Sequence, residues 1–405
     1  MHVLFIHQNF PAQFGHIAAY LARNKNFRCS FISQQLPGMT EGIERIQYHV
    51  KGGATEKTHY SSRSFENAIC HSHGVFDALA ARPDIKPDLI VAHSGFLSTV
   101  LLRELYDCPI INYFEYYYLT RGADMDFRLD FPYPVANRLR ARVRNANLLL
   151  DLEECDAGYS PTRWQRNLFP ATYRPKIRTI FDGIDTAFWR PLGPVPRHVG
   201  NWAIPEGMRV VTYVSRGLES IRGFDIFMQV AKRLGDRRRD VVFFVVGDDR
   251  ICYGGDADFT GNASFKQWVL GRDDYDLSRF VFTGLLPTPQ LLTLFALSDL
   301  HIYLTVPFVL SWSLMNALAC GVTVLGSDTP PVREMVRHEE NGLLAGFFDV
   351  DAMVEQAMKV LDDPAGYRHL GKAGIEMIQS RYSLDVCLPR MLHLYEDAIH
   401  SRRGS

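Results

Sequence analysis

Val210-Val211-Thr212-Tyr213-Val214-Ser215-Arg216-Gly217-Leu218-Glu219-Ser220-Ile221-Arg222-Gly223-Phe224-Asp225 is the stretch on which the reading of this chain turns. Residues 210–214 are β-branched or aromatic and read as a buried strand, and from Phe224 to Leu234 the apolar residues recur at helical spacing. Between strand and helix lies a turn with two glycines and two arginines. Backbone amides at such a turn and at the helix start favour an anion, and guanidinium forks match phosphate oxygens bidentately. The loop therefore suits a diphosphate, with Arg216 and Arg222 as its cations and Ser215 and Gly217 lining it. The plain alternative is a pair of solvated surface arginines.

Working outward, the same alternation of strand and helix recurs. Downstream, residues 241–246 form a nearly continuous apolar run suited to a strand buried on both faces. Further strands are read at 280–282, 301–304 and 323–326, with helices at 288–297 and 314–319. Upstream, strands are read at 3–6, 89–91, from Ile110, and at 157–160, with a helix at 14–22 and a helix cap at Pro161-Thr162. Alternation of this kind implies βαβ units, parallel sheets and right-handed crossovers. Pro191, Pro194, Pro196 and Pro205 mark a linker. The expectation is an α/β protein of two Rossmann-like, doubly wound parallel-sheet domains facing a cleft. Their expected bounds are 1–190, a linker at 191–205, 206–380, and a C-terminal helix at 381–405 long enough to cross back to the first domain.

A chain of 405 residues, 47% hydrophobic, can bury two cores. Lys and Arg number 44 against 45 Asp and Glu, so no basic excess argues for nucleic acid. No apolar run reaches the length of a membrane span, and the first strand starts at once, without a basic leader or cleavage site. A cytoplasmic protein is expected. The seven cysteines contain no C-x-x-C pair and read as buried thiols.

A second chemical element runs from Leu304 to Gly321. A strand ends, a loop turns, and a helix begins at Ser311 or Ser313, either of which suits an N-cap. Amides of Val309, Leu310 and Ser311 are candidates for a second phosphate or for sugar hydroxyls. Asn316 both donates and accepts, as a ribose diol requires, or it is a buried side chain held by backbone. In the first half, Glu115 lies among aromatics, where burial raises a carboxylate pKa; it and His93 both follow strands. Arg138, Arg140, Arg142 and Arg144 form a basic run that is either a solvated face or a patch for peripheral membrane contact or a phosphorylated or lipid-linked acceptor.

With these residues in place the chain resembles family 4 retaining glycosyltransferases of GT-B fold. Ser215-Arg216 with Arg222-Gly223 resembles that family's G-R…K-G site, and Asn316-Ala317-Leu318-Ala319-Cys320-Gly321 its E-A-M-A-C-G. Ser327, Glu334 with Asn341-Gly342-Leu343-Leu344, and Ile180-Phe181-Asp182-Gly183-Ile184-Asp185 match further segments. Thr283, Gly284 and Leu285 stand where the family receives the base, and Gly247 ends the preceding strand. The loop after the first strand offers only Gly15, with Pro11 and Ala12 where glycines are common, and His16 aligns with a frequent helix-start histidine. Two departures stand out: the family's paired carboxylates are replaced by Phe308 and Asn316. The loop at 307–313 marks a branch with this feature.

The resemblance implies transfer with retention from a nucleotide-diphosphate sugar to the hydroxyl of a sugar, lipid-linked or small-molecule acceptor. The departing diphosphate would be stabilised by Arg216 and Arg222, with His93 and Glu115 assisting on the acceptor side. It implies no metal, no cofactor beyond the donor, and no nucleic-acid partner; membrane association would be on the inner face. The alternatives are a non-catalytic nucleotide-sugar binder or scaffold, and an epimerase or hydrolase on the same fold. Donor base, sugar, acceptor and oligomeric state are not legible.

Overall fold

The computed structural model describes residues 1–35, 40–261 and 263–403. It divides into two compact units: Met1–Thr120, Tyr133–Gly183 and Leu384–Ser405 form the first, and Arg121–Pro132 with Ile184–Ser383 the second. Residues 404 and 405 of the expected C-terminal segment lie outside the described residues.

In the first unit, β1 (His2–Ile6), β2 (Arg28–Ser33), β3 (Ile43–Gln47), β4 (Leu89–His93), β5 (Ile110–Tyr113), β6 (Ala157–Ser160) and β7 (Ile177–Thr179) form one sheet in the order β3-β2-β1-β4-β5-β6-β7. Every neighbouring pair is parallel. β1 and β4 are buried along their whole length, which is why both read as apolar runs. β2 and β3 were not legible. Ser30 and Ser33 interrupt β2 although both are buried, the former beside His2 Nε2 at 2.8 Å; β3 is an edge strand with half-buried polar residues. The final helix, Leu384–Arg403, sends Leu388, Met391, Leu394, Tyr395 and Ile399 into the cluster formed by Val3, Phe5, Val91 and Ile111.

The second unit opens with a two-stranded antiparallel hairpin, β8 (His198–Val199) and β9 (Trp202–Ala203), inside the proline-rich stretch. Strands of two residues leave too little periodicity to be read. β10 (Arg209–Gly217), β11 (Val241–Asp248), β12 (Phe280–Gly284), β13 (Leu300–Tyr303), β14 (Val324–Ser327) and β15 (Leu343–Ala345) follow, all parallel, in the order β12-β11-β10-β13-β14-β15. Both sheets are thus doubly wound α/β sheets, with the strand order reversing beside β1 and β4 in one and beside β10 and β13 in the other. In such sheets ligands bind outside the carboxyl ends of the strands at that switch point. All seven cysteines are free thiols, five of them buried. Among the described residues no helix is long and apolar enough to cross a membrane.

Gly223 shows how tightly the turn after β10 is set. It caps the helix Phe224–Arg237 at φ +62°, and a Cβ there would lie 2.9 Å from the Leu304 Cβ. Gly223→Ala is expected to destabilise the second unit by about 1–2 kcal/mol from the left-handed backbone alone, more with the clash. A thermal melt matching that of the parent would refute this.

Candidate functional site

In the second unit, the side chains expected to bind a diphosphate converge at the carboxyl ends of β10 and β13. Arg216 is exposed, with Nη1 3.5 Å from the Tyr253 hydroxyl. Arg222 is buried, its Cζ 5.4 Å from the Tyr253 ring centre and 5.6 Å from that of Phe308. Its Nη1 donates to Thr305 Oγ1 and to the Val309 carbonyl, each at 2.9 Å. The Arg222 carbonyl accepts from the buried Tyr213 hydroxyl at 2.9 Å. Thr305 is held in turn: its amide donates to Ser327 Oγ, and its carbonyl accepts from Ser327 and Thr329 hydroxyls. Ser327, matched by resemblance alone, thus supports the residue that Arg222 binds.

The turn around these arginines is organised by buried carboxylates. Glu219 Oε2 accepts from the successive amides of Cys252, Tyr253 and Gly254 at 3.1, 2.9 and 2.9 Å. Asp256 accepts from the Ser220 amide at 2.8 Å and from its hydroxyl. Burial raises the pKa of both acids, against their hydrogen bonds. Gly217 is needed for close approach, since a Cβ there would meet the Arg250 carbonyl at 2.4 Å. A Cβ on Gly247 would likewise meet the Ser215 carbonyl at 2.9 Å. Ser215 Oγ donates to the Gly217 carbonyl at 2.7 Å and so closes the turn rather than facing outward.

Ser311, not Ser313, caps the helix Trp312–Ala319, its hydroxyl accepting from the Ser313 amide at 3.2 Å. The Ser311 amide already donates to the Tyr303 hydroxyl at 2.8 Å. That corrects the expectation that all three loop amides are open to a ligand. The Val309 carbonyl is likewise occupied by Arg222, and Leu310 is half-buried beside it. Phe308 is buried against Tyr253, ring centres 5.5 Å apart. Asn316 is buried within the helix. Thr283 Oγ1 turns back to the Gly284 carbonyl at 2.9 Å, Gly284 adopts φ +66°, and Leu285 is 56% exposed at the loop that follows β12.

In the first unit, His7 directly follows β1 and His93 ends β4, the two switch-point strands. Their rings stack, centres 4.9 Å apart and 4° from parallel. His93 is buried with neither nitrogen hydrogen-bonded; burial, and secondly His7 and Arg144, push its pKa well below the usual histidine value. Its Nε2 lies 3.8 Å from Glu115 Oε2, and Glu115 Oε1 accepts from Gln13 Nε2 at 3.3 Å. Gly15 and His16 begin the helix Gly15–Ala22. Ala12 takes φ +48° in the loop before it, the left-handed backbone for which glycine is favoured. Asp151, from the helix Val135–Glu154, accepts from Ser94 and Ser98 hydroxyls and from the Thr99 amide and hydroxyl. It thereby fixes the turn that follows His93. Of the basic run on that helix, Arg140 donates to Ser64, Arg142 to Thr120, and Arg144 lies 4.2 Å above the Tyr118 ring. Much of that run is therefore engaged within its own unit.

The sequence alone does not mark His7, Gln13, Tyr253, Glu219 and Asp256 as site residues. Only His7 had a local signal, as a polar residue directly after an apolar strand.

Residues 25–189 match the family model described as glycosyl transferase family 4 group, and residues 196–377 that of glycosyl transferases group 1. The N-acetyl-alpha-D-glucosaminyl L-malate synthase of Bacillus anthracis is 26% identical over 231 residues, 56% of this chain and 55% of that protein. The 2-deoxystreptamine N-acetyl-D-glucosaminyltransferase of Streptomyces fradiae is 26% identical over 209 residues, 51% of this chain and 46% of that protein. The chain thus spans about half the length of the curated relatives it matches. Sucrose-phosphate synthase from Thermosynechococcus elongatus shares the fold at TM-score 0.73 and 18% identity, over 99% of this chain and 100% of that one. Anabaena HepE in complex with UDP-glucose does so at 0.68 and 13%, over 98% and 100%.

Burial holds His7 neutral, with its pKa lowered to about 4. Its stabilising neutrality is complete above about 6.5 and is lost as pH falls toward 4, at about 1.4 kcal/mol per pH unit. Asp151 runs the other way: burial raises its pKa to about 6, so its contribution is lost as pH rises through that value. His7→Asn isolates the first effect. Between pH 7 and pH 5 the parent should lose about 2 kcal/mol more stability to urea than the variant does. Equal losses would mean that His7 is not buried as a neutral ring.

Proposed function

We propose, for a chain that belongs to the GT-B glycosyltransferases pairing a family 4 group domain with a group 1 domain, that it transfers a sugar from a nucleotide-diphosphate sugar to an acceptor hydroxyl with retention. The observation that carries this reading is the convergence of Arg216, Arg222 and Tyr253 at the switch point of the second sheet, with Arg222 held by Thr305. In the proposed step the bond from the anomeric carbon to the diphosphate breaks. The acceptor oxygen bonds to that carbon on the same face, and the acceptor proton passes to the departing phosphate oxygen. Charge develops on the diphosphate, and preorganised guanidinium groups stabilise it without reorganisation. No metal and no protein nucleophile enter this route; the positive charge is that of Arg216 and Arg222.

His93 and Glu115 are assigned to sugar hydroxyls on the first unit. A neutral imidazole with both nitrogens unpaired in a buried site offers one donor and one acceptor. Filling them by a hydroxyl would remove an unsatisfied polar group, which supports the assignment. Asn316 is assigned to the ribose, where a neutral amide replaces the charged acceptor of the family pattern at a cost of about 1 kcal/mol.

Arg216 is exposed at the end of β10, so its removal should spare the fold. Arg216→Ala is expected to abolish nucleoside diphosphate binding while the melting temperature stays within about 2 °C of the parent. Calorimetric titration with UDP, GDP, ADP and dTDP checks this. A variant that binds as the parent does would sink the site assignment.

A further inference from the structure

The segment Arg121–Pro132 lies in sequence between two stretches of the first unit, yet it is part of the second. Phe131 packs on Phe259, Phe265 and Trp268 with ring centres 5.3, 5.7 and 5.5 Å away, and Phe127 on Phe347 and Phe348. From this anchored segment Arg128 reaches, buried, into the turn that carries Arg222.

All five guanidinium N–H groups of Arg128 are used. Nε donates to Asp130 Oδ1 at 3.2 Å. Nη2 donates to Asp130 Oδ2 at 2.5 Å and to Asp225 Oδ2 at 2.7 Å. Nη1 donates to Asp225 Oδ1 at 2.8 Å and to the Ser220 carbonyl at 2.9 Å. Ser220 stands two residues before Arg222 and Asp225 three after it, so Arg128 grips the turn on both sides of the phosphate arginine. With Asp256 on its amide and hydroxyl, Ser220 is pinned at three of its polar atoms.

We propose that Arg128 is a positioning residue for the diphosphate site, setting the direction of Arg222 through Ser220 and Asp225. The proposal rests on the diphosphate reading above. Phe127 and Phe131 anchor the segment by their own ring contacts; the Arg128 guanidinium lies over the Phe131, Phe347 and Phe348 rings, 4.5, 5.5 and 5.7 Å from their centres, while its N–H groups reach the turn. Lysine cannot substitute, because three N–H groups on one atom cannot span a carbonyl and both oxygens of a carboxylate.

Removing Arg128 alone would strand the Asp225 charge in the interior, so the test uses the charge-balanced pair R128M/D225L, with R128K as a second variant that keeps a buried cation. Binding of inorganic pyrophosphate, of nucleoside diphosphates (UDP, GDP, ADP, dTDP) and of the parent nucleosides is measured by calorimetry on variants whose circular dichroism matches the parent. Diphosphate and pyrophosphate binding should weaken by about tenfold or more, while nucleoside binding changes by less than about twofold. R128K should show the same selective loss to a smaller degree. If the parent binds diphosphates, R216A loses them, and R128M/D225L binds them as the parent does, the positioning role is overturned and the site reading stands. A uniform loss for nucleosides and diphosphates alike would show general damage and overturn it too. A parent protein that binds neither pyrophosphate nor any nucleoside diphosphate would overturn the diphosphate reading and this inference together.

Discussion

An irregular turn at the end of a buried strand must find partners for every backbone N–H and C=O it takes out of water. The turn after β10 does so with charged side chains. Glu219 satisfies three successive amides of the neighbouring loop, Asp256 satisfies the Ser220 amide, and Arg128 satisfies the Ser220 carbonyl. Burying these groups costs desolvation, and loss of one partner leaves the other charge uncompensated. The turn is consequently held in one conformation. Arg222, tied by its backbone to Tyr213 and by its side chain to Thr305 and Val309, inherits that order.

The first unit meets the same problem with one buried carboxylate and a pair of uncharged rings. Asp151, fully buried, takes the donors of Ser94, Ser98 and Thr99 and so shapes the turn after β4, while His7 and His93 stack as uncharged rings. The difference suits the two chemistries proposed. A departing diphosphate calls for fixed positive charge, whereas sugar hydroxyls call for matched donors and acceptors that need not be ionised. Phe308 fits the first environment, since its ring packs beside the Arg222 guanidinium and Tyr253.

The sequence was most legible where burial is symmetric. β1, β4, β10 and β11 are covered on both faces, and continuous apolar runs are how such strands look in one dimension. The two arginines of the β10 turn could also be placed, because glycines and the change from strand to helix spacing mark such a turn. Tyr253, Glu219 and Asp256 could not: Tyr253 and Asp256 reach the turn from a separate segment, and nothing local marks Glu219 as a carboxylate that will accept three amides. Nor could the fate of the Ser311 amide be read, because its acceptor is the Tyr303 hydroxyl eight residues away.

What the sequence determined by itself is the class of the fold and the presence of a strand-to-helix turn carrying two arginines and two glycines, since periodicity, glycine placement and residue type are local properties. What only the tertiary structure decided is which groups are available in that turn. Arg222 is half committed to the protein, Arg216 lies at the surface, and a segment from the first half of the chain supplies Arg128 to hold them. The physical reason is that hydrogen-bond satisfaction is settled by neighbours in space. Arg128 and Ser220 lie 92 residues apart in the chain and 2.9 Å apart in the fold.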